Sequence, residues 1–399
     1  MSHSEQVSAD LEIPALCLLV LIGVSDGLRK GVARRHFSDA EVCTDLGAAA
    51  ERLSRGLLTV LNAPHLRAAD RVAAVTLARE HDVEAAALVL DPPILHSDPQ
   101  TRQQLTDLHR ELGGPTSPSL RPEGFRTAYR LRTEAELEGV QLRRVPLPPD
   151  RRELHGPFDL IGDVHGCLPE LTELLGKLGY TVDTELNVVP PVGRTLVFLG
   201  DLTDRGPDSP GVLRLVIGML ASGTALCVAG NHDAKLLRAL QGHKVTVTHG
   251  LEVTLTQLAQ QPPEFVGAVR TFLTGLPSHL LLDGGRLVAA HAGLPARFQG
   301  RESRRVWAFA LYGDVDRSAQ TEGGPPVRRD WAAGYGGAAL VAYGHTPVRQ
   351  PRWTNNTVNL DTGCVYGGQL SALRYPEQTT LSVPARAVYR DAASPLRME

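Results

Sequence analysis

Apolar runs of strand length alternate with amphipathic stretches along the first part of the chain. Ala15–Ile22, Leu57–Leu61 and Ala85–Leu90 read as strands, and Asp45–Arg55 and Ala68–Glu80 between them read as helices. Strands that alternate with helices predict a parallel sheet in an α/β unit. Pro92–Pro122 is rich in Pro, Ser, Gln and Arg, with a short helix expected at Thr101–Leu112. Arg143–Asp150 (Arg-Arg-Val-Pro-Leu-Pro-Pro-Asp) has the composition of a linker and places a domain boundary near Asp150. The expected domains are therefore 1-150 and 151-399. Met1–Asp10 is polar and reads as a disordered arm.

The second half repeats one local pattern. An apolar run ends in a small residue, and a side chain able to hold a metal follows. Phe158–Ile161 leads to Gly162-Asp163-Val164-His165-Gly166, and Thr195–Leu199 leads to Gly200-Asp201-Leu202-Thr203-Asp204-Arg205-Gly206. Ala225–Ala229 leads to Gly230-Asn231-His232-Asp233, Leu287–Ala290 to His291-Ala292-Gly293, and Leu340–Tyr343 to Gly344-His345-Thr346-Pro347. Ligands at the ends of neighbouring strands converge on one edge of a sheet, and the glycines permit sharp turns beside them.

Composition narrows the class without naming a reaction. A chain of 399 residues with 42% hydrophobic and 21% charged residues is long enough for two globular domains. A net charge of −3 gives no global attraction to nucleic acid or to membranes. The apolar run Ile13–Val24 contains Pro14 and falls short of the roughly 20 residues of a membrane-spanning helix, so it reads as a buried strand. The five cysteines, Cys17, Cys43, Cys167, Cys227 and Cys364, form no C-x-x-C pair and are expected to be reduced, which suits the cytoplasm.

The strand-end residues suit a two-metal hydrolase. Two cations about 3.5–4 Å apart can clamp the attacking and leaving oxygens of an in-line displacement. Asp163 and His165, two apart on an extended chain, point the same way and would hold the first cation with Asp201. Asp201 would bridge to the second, completed by Asn231, His291 and His345. Carboxylate, amide and imidazole suit manganese, iron, zinc or nickel. His232 would protonate the leaving oxygen, with Asp204 orienting it. Arg205 has the planar fork to grip two phosphoryl oxygens.

These motifs resemble the calcineurin-like metallophosphoesterase superfamily, most of all its phosphoprotein-phosphatase branch. The resemblance implies a two-sheet sandwich flanked by helices. Pro347 stands where some branches carry a second histidine, so the first cation would have three protein side chains. Gly156–Tyr180, Gly200–Thr224, Gly230–Leu258, Ala308–Tyr312, Val341–Pro347 and Asn355–Tyr375 look like the phosphatase module of bacterial polynucleotide kinase-phosphatase. That resemblance implies removal of 2′- and 3′-phosphates, and of 2′,3′-cyclic phosphate, from RNA ends, with manganese or nickel. It further implies a substrate-site role for Asp361, RNA ends as partners, and an RNA ligase and a 3′-terminal methyltransferase working alongside.

In that family a P-loop kinase precedes the phosphatase. Here Gly23 follows the strand Leu18–Ile22, but Leu28, Arg29 and Lys30 stand where G-x-x-x-x-G-K-[ST] requires Gly, Lys and Ser or Thr. Asn62-Ala63 replaces the family's aspartate, and Asp45 reads either as a former general base or as a helix cap. The expectation is a degenerate kinase-like domain with ATP binding in doubt. Serine/threonine protein phosphatase and dinucleoside tetraphosphate hydrolase share the metal core and are the alternatives; a non-catalytic scaffold is the alternative of another class.

Overall fold

The computed structural model describes residues 10–93, 98–112, 120–316 and 327–391. The expected N-terminal arm lies outside them except for Asp10. The chain divides into two compact units. One comprises Met1–Leu147 with Gly300–Ser303, and the other Pro148–Gln299 with Arg304–Glu399.

The first unit runs β1 (Asp10–Pro14), β2 (Cys17–Ile22), α1 (Asp26–His36), β3 (Val42–Cys43), α2 (Leu46–Ser54), β4 (Thr59–Asn62), α3 (Ala68–Glu80), β5 (Glu84–Leu90), α4 (Pro99–Glu111), β6 (Thr127–Leu131), α5 (Glu134–Gly139) and β7 (Gln141–Val145). Its main sheet has the order β3-β4-β2-β5-β6, every pair parallel. The six residues of β2, Cys-Leu-Leu-Val-Leu-Ile, are all buried, because a central parallel strand is covered on both faces. Asp45 caps α2 by accepting from Ala48 N at 2.9 Å. Gly300–Ser303 joins this unit through Arg301, a buried side chain that donates to the carbonyls of Leu53 and Ser54 at 2.8 and 3.0 Å. The sequence alone had put that tetrapeptide with the second domain.

The second unit continues with β8 (Asp150–Arg151), β9 (Phe158–Ile161), α6 (Leu168–Leu178), β10 (Thr181–Val182), β11 (Val188–Val189), β12 (Thr195–Phe198), α7 (Ser209–Ala221), β13 (Ala225–Cys227), α8 (Asn231–Leu240), α9 (Leu251–Leu258) and α10 (Pro263–Thr274). It ends with β14 (His279–Leu282), β15 (Leu287–Ala290), α11 (Arg304–Tyr312), β16 (Val315–Asp316), β17 (Val327–Arg328), β18 (Leu340–Tyr343), β19 (Arg352–Thr354), β20 (Thr357–Asn359), β21 (Gln369–Tyr375) and β22 (Thr379–Pro384). Two large sheets form, β13-β12-β9-β21-β22 and β19-β20-β18-β15-β14-β8, beside the two-stranded pairs β10-β11 and β16-β17. Alternate residues of each strand face the partner sheet: Phe158 and Leu160, Val197 and Leu199, Leu287 and Ala289, and Leu340 and Ala342 share one core. The opposite face of the first sheet, with Ile161, Leu196 and Phe198, packs in the larger core with residues of α6 and α7. Period-two alternation thus covers both faces of the inner strands with apolar partners. Among the described residues no helix is long and apolar enough to cross a membrane.

Candidate active site

Six chemistry-bearing residues follow the carboxyl ends of six strands. Asp163 follows β9, Asp201 follows β12 and Asn231 follows β13 in one sheet; His291, His345 and Asp361 follow β15, β18 and β20 in the other. The packed sandwich brings the two sets together. The turns that carry them are tight. His165, Asp201, Asp204, Arg205 and His345 all have positive φ, between 46° and 74°. Non-glycine residues in this region cost on the order of 1–3 kcal/mol each and collect where function fixes the geometry. Close approach explains two glycines. A Cβ on Gly206 would lie 1.9 Å from the His165 carbonyl oxygen, and one on Gly230 would lie 2.1 Å from Asp201 N.

Asp201 is the hub. Its Oδ2 lies 3.4 Å from His291 Nε2, 3.6 Å from His165 Nε2 and 4.0 Å from His232 Nε2, while Oδ1 accepts from His232 N at 2.9 Å. Two groups able to hold a cation share it: His165, Asp201 and His232, and Asp201, His291 and His345, with the ligand atoms of each within 4.8 Å of one another. The second group agrees with the residues the sequence had assigned to one cation, and Asn231 Oδ1 joins it at 3.0 Å from His291 Nε2. The first group differs. It contains His232, where the sequence had put Asp163. Asp163 instead accepts from His345 N at 3.2 Å and lies 4.0 Å from His291 Nδ1.

The tautomers follow from the partners. A carbonyl oxygen only accepts, so His165 Nδ1 donates to Thr203 O at 2.8 Å and His291 Nδ1 donates to Leu199 O at 3.1 Å. Burial pushes His165 and His345 well below the usual imidazole range and lowers His291, so these rings are neutral and the Nε2 atoms of His165 and His291 carry lone pairs. The His291 lone pair then faces the Asp201 carboxylate and the Asn231 amide oxygen, acceptor against acceptor. A divalent cation at the shared carboxylate would turn these facing acceptors into ligands, and the donor set of carboxylate, amide and imidazole fits one. Burial also pushes up Asp163, beside Asp361 and Asp201, and raises Asp361 to about 7.

His232, Asp204 and Arg205 form the other half of the site. His232 Nδ1 bonds Asp204 Oδ2 at 2.6 Å. Arg205 Nη2 donates to His232 Nε2 at 2.8 Å and its Nη1 to His165 Nε2 at 2.6 Å. Its guanidinium also lies 5.5 Å from the Tyr366 ring centroid. Asp361 is buried and accepts from Gly363 N at 3.1 Å.

Three positioning residues carried no assigned role in the sequence. Thr254 Oγ1 donates to Asp204 Oδ1 at 2.7 Å and accepts from Asp204 N at 3.0 Å, across 50 positions. Asp233 accepts from Leu202 N and Gly230 N, tying two ligand-bearing turns together. Tyr366 supports Arg205. Thr254 and Tyr366 lie inside segments that the family resemblance covers, but nothing local to either residue marks its use.

Residues 156–349 match the family described as calcineurin-like phosphoesterase. A relative from Anoxybacillus flavithermus, the asymmetrical bis(5′-nucleosyl)-tetraphosphatase PrpE, is 48% identical over 236 residues, covering 58% of this chain and 96% of the relative. The chain belongs to the calcineurin-like phosphoesterase family. It is a metal-dependent phosphoester hydrolase. The PrpE of Bacillus subtilis is 47% identical to this phosphoesterase over 239 residues, 59% of this chain and 97% of the relative. The PrpE of Geobacillus thermodenitrificans is 48% identical over 232 residues, 57% of this chain and 94% of the relative.

Proposed function

We propose that this phosphoesterase cleaves dinucleoside tetraphosphates asymmetrically, into a nucleoside triphosphate and a nucleoside monophosphate. The observation that carries the reading is the 48% identity to a protein named for that reaction, over nearly that protein's whole length. In this reading Asp163, His165 and Asp201 hold one divalent cation, and Asp201, Asn231, His291 and His345 hold the second, manganese first and nickel, iron(II) or zinc as alternatives. When bound, such ions supply Lewis acidity at phosphoryl oxygens and lower the pKa of the attacking water. Arg205 grips the reacting phosphoryl group and offsets its growing charge. His232, oriented by Asp204, hands a proton to the leaving oxygen as the bridging P–O bond breaks. Asp361 faces the substrate from the opposite strand end.

A second reading keeps the site and changes the substrate to RNA ends bearing 2′- or 3′-phosphate. The N-terminal parallel α/β unit favours it, since a kinase-like domain stands there in the RNA-repair family that the motifs resemble. RNA ligase and methyltransferase partners belong to this reading alone. We take the N-terminal unit to be inactive in ATP chemistry. The Arg29 side chain is buried at the carboxyl end of β2, where open parallel sheets receive ligands. It donates to Gly23 O at 2.5 Å, Asp26 Oδ1 at 3.2 Å and Asn62 Oδ1 at 3.3 Å, so its charge is spent on the loop itself. A cytoplasmic setting accords with five free, buried thiols.

The test is manganese-dependent turnover of diadenosine tetraphosphate, a 3′-phosphorylated RNA and a phosphoserine peptide, with products resolved chromatographically. ATP and AMP in equal amounts, at a rate above both rivals, is the expected result. Preferential dephosphorylation of the RNA would replace the first reading by the second.

A further inference from the structure

A third group able to hold a cation stands apart from the two that share Asp201. It consists of Cys167, Glu170 and Cys364, all buried, with one sulfur or carboxylate oxygen from each within 4.8 Å of the others. All three belong to the phosphoesterase unit. Cys167 is the N-cap of α6 and Glu170 lies in the first turn of that helix, the i, i+3 spacing that brings side chains of one turn together. Negative charge is favoured at this end of a helix. Cys364 lies between β20 and β21, three positions beyond Asp361. Cys167 follows His165 by two positions. The group therefore joins the turn that carries Asp163 and His165 to the turn that carries Asp361.

Glu170 is incompletely satisfied. It is fully buried. Its Oε1 accepts from Arg386 N at 2.8 Å and from Tyr389 Oη at 2.9 Å. Its Oε2 is buried and, among the described residues, has no hydrogen-bond partner. The guanidinium of Arg386 lies 3.4 Å from Glu173 instead. A bare carboxylate oxygen in a core lowers stability unless positive charge meets it. The thiols beside it do not supply that charge. A thiol is a weak donor, and Cys167 Sγ donates to His165 O at 3.7 Å. A cation set among the two sulfurs and Glu170 Oε2 would meet the bare oxygen, and its binding would release the thiol protons to solvent. Two sulfur ligands select a soft ion such as zinc over manganese, whereas the catalytic groups offer nitrogen and oxygen alone. Three protein donors leave the fourth position of a tetrahedral ion to a water molecule.

We propose that Cys167, Glu170 and Cys364 hold a thiophilic divalent cation, zinc first, that pins the Asp163–His165 turn to the Asp361 turn. The site is structural, and it does not depend on which phosphoester the enzyme cleaves.

The experiment uses the full chain, reduced with a phosphine, stripped with chelator and titrated with cobalt(II) in place of zinc. Sulfur-to-cobalt charge transfer gives a near-ultraviolet band that nitrogen and oxygen ligands do not give, so the catalytic cations are silent in it. The wild type should show the band; zinc should abolish it, and an excess of manganese should not. Cys167→Ser and Cys364→Ser should lose the band, while Cys43→Ser, which alters a buried thiol of the first unit, should keep it. Glu170→Gln keeps both thiols and an acceptor for Arg386 N and Tyr389 Oη. It should bind zinc about a hundredfold or more weakly, since a direct ligand matters at least as much as an outer partner. Zinc should raise the thermal midpoint of the wild type and leave that of Cys364→Ser unmoved. Absence of the band in the reduced wild type overturns the proposal. So does a band that survives in both serine variants, or wild-type zinc affinity in Glu170→Gln. Peptide mapping that finds Cys167 joined to Cys364 as a disulfide, with no ion taken up after reduction, would make the pair a redox couple and overturn the metal site.

Discussion

Asp204→Asn isolates the proton-transfer role of His232. Asp204 is fully buried and makes two short side-chain contacts, His232 Nδ1 at 2.6 Å and Thr254 Oγ1 at 2.7 Å. Asparagine has nearly the same volume, and its one oxygen can accept from His232 Nδ1 while its amide donates to Thr254 Oγ1, so the fold should survive with a modest loss of stability. What disappears is the negative charge. A hydrogen bond to a charged group contributes roughly 1.5–3 kcal/mol against about 0.5–1.5 kcal/mol for a neutral one. The difference, about 1–2 kcal/mol, is roughly a five- to thirtyfold loss in rate if it is felt only as His232 gives up its proton. That is a fraction of the roughly 10²–10⁴-fold that positioned acid–base groups supply. The discriminating assay compares phenyl phosphate with p-nitrophenyl phosphate. Phenolate is the poorer leaving group and needs the proton; p-nitrophenolate leaves without one. The kcat loss in Asp204→Asn should therefore be several-fold larger for phenyl phosphate, and His232→Ala should show the same bias. An equal loss for both substrates would mean that Asp204 only holds the turn in shape, and the acid assignment of His232 would fail with it.

Asp201→Ala removes the carboxylate shared by both cation groups and should lower turnover by about 10³-fold or more, with loss of bound metal measurable by elemental analysis. Arg194→Met should cost about 1.5–3 kcal/mol in urea unfolding, because it removes the donor 2.9 Å from the fully buried Asp159 carboxylate on β9 and leaves it only Tyr180 Oη at 3.0 Å and Arg374 Nε at 3.4 Å. Buried His279 provides a pH test away from the active site: burial pushes it down from 6.5 to about 3. The unfolded chain then binds the extra proton between these values, so stability is fully present above about 6.5 and falls by up to about 1.4 kcal/mol per pH unit as pH drops toward 3. His279→Gln should flatten the urea midpoint over pH 4–6.5 by about one proton's worth, and an unchanged slope would show that His279 does not set it. ATP should fail to phosphorylate a 5′-hydroxyl oligonucleotide with the wild-type chain, as followed with radiolabel; transfer of label would reverse our view of Arg29.

Much of the site was legible one residue at a time. An apolar run that ends in a small residue and then a ligand is a local pattern, and β9, β12, β13, β15 and β18 each present their ligand at the strand end because strand and turn are locally encoded. The parallel sheet of the first unit was legible for the same reason. Alternating strand and helix periods leave few topologies open, and the β2 run of six buried residues marks a central strand. Which ligands share a cation was not local. His232 comes close to His165 and Asp201 because strands β9, β12 and β13 lie side by side, a proximity that spacing along the chain does not show. Asp45 read equally as a base or a cap until its hydrogen bond to Ala48 N was seen. Arg29 stands where the phosphate-loop motif requires lysine, and only packing turns it inward against Gly23 and Asn62. Thr254, 50 positions from Asp204, and the tetrapeptide Gly300–Ser303 carry no signal in their own neighbourhoods. The sequence by itself determined the elements, the ligand types and the strand ends that bear them, since these depend on contacts within a few residues. Tertiary structure alone decided which ligand atoms lie together, the support of Asp204 and the occupied crevice at β2, since each depends on contacts between segments far apart in the chain.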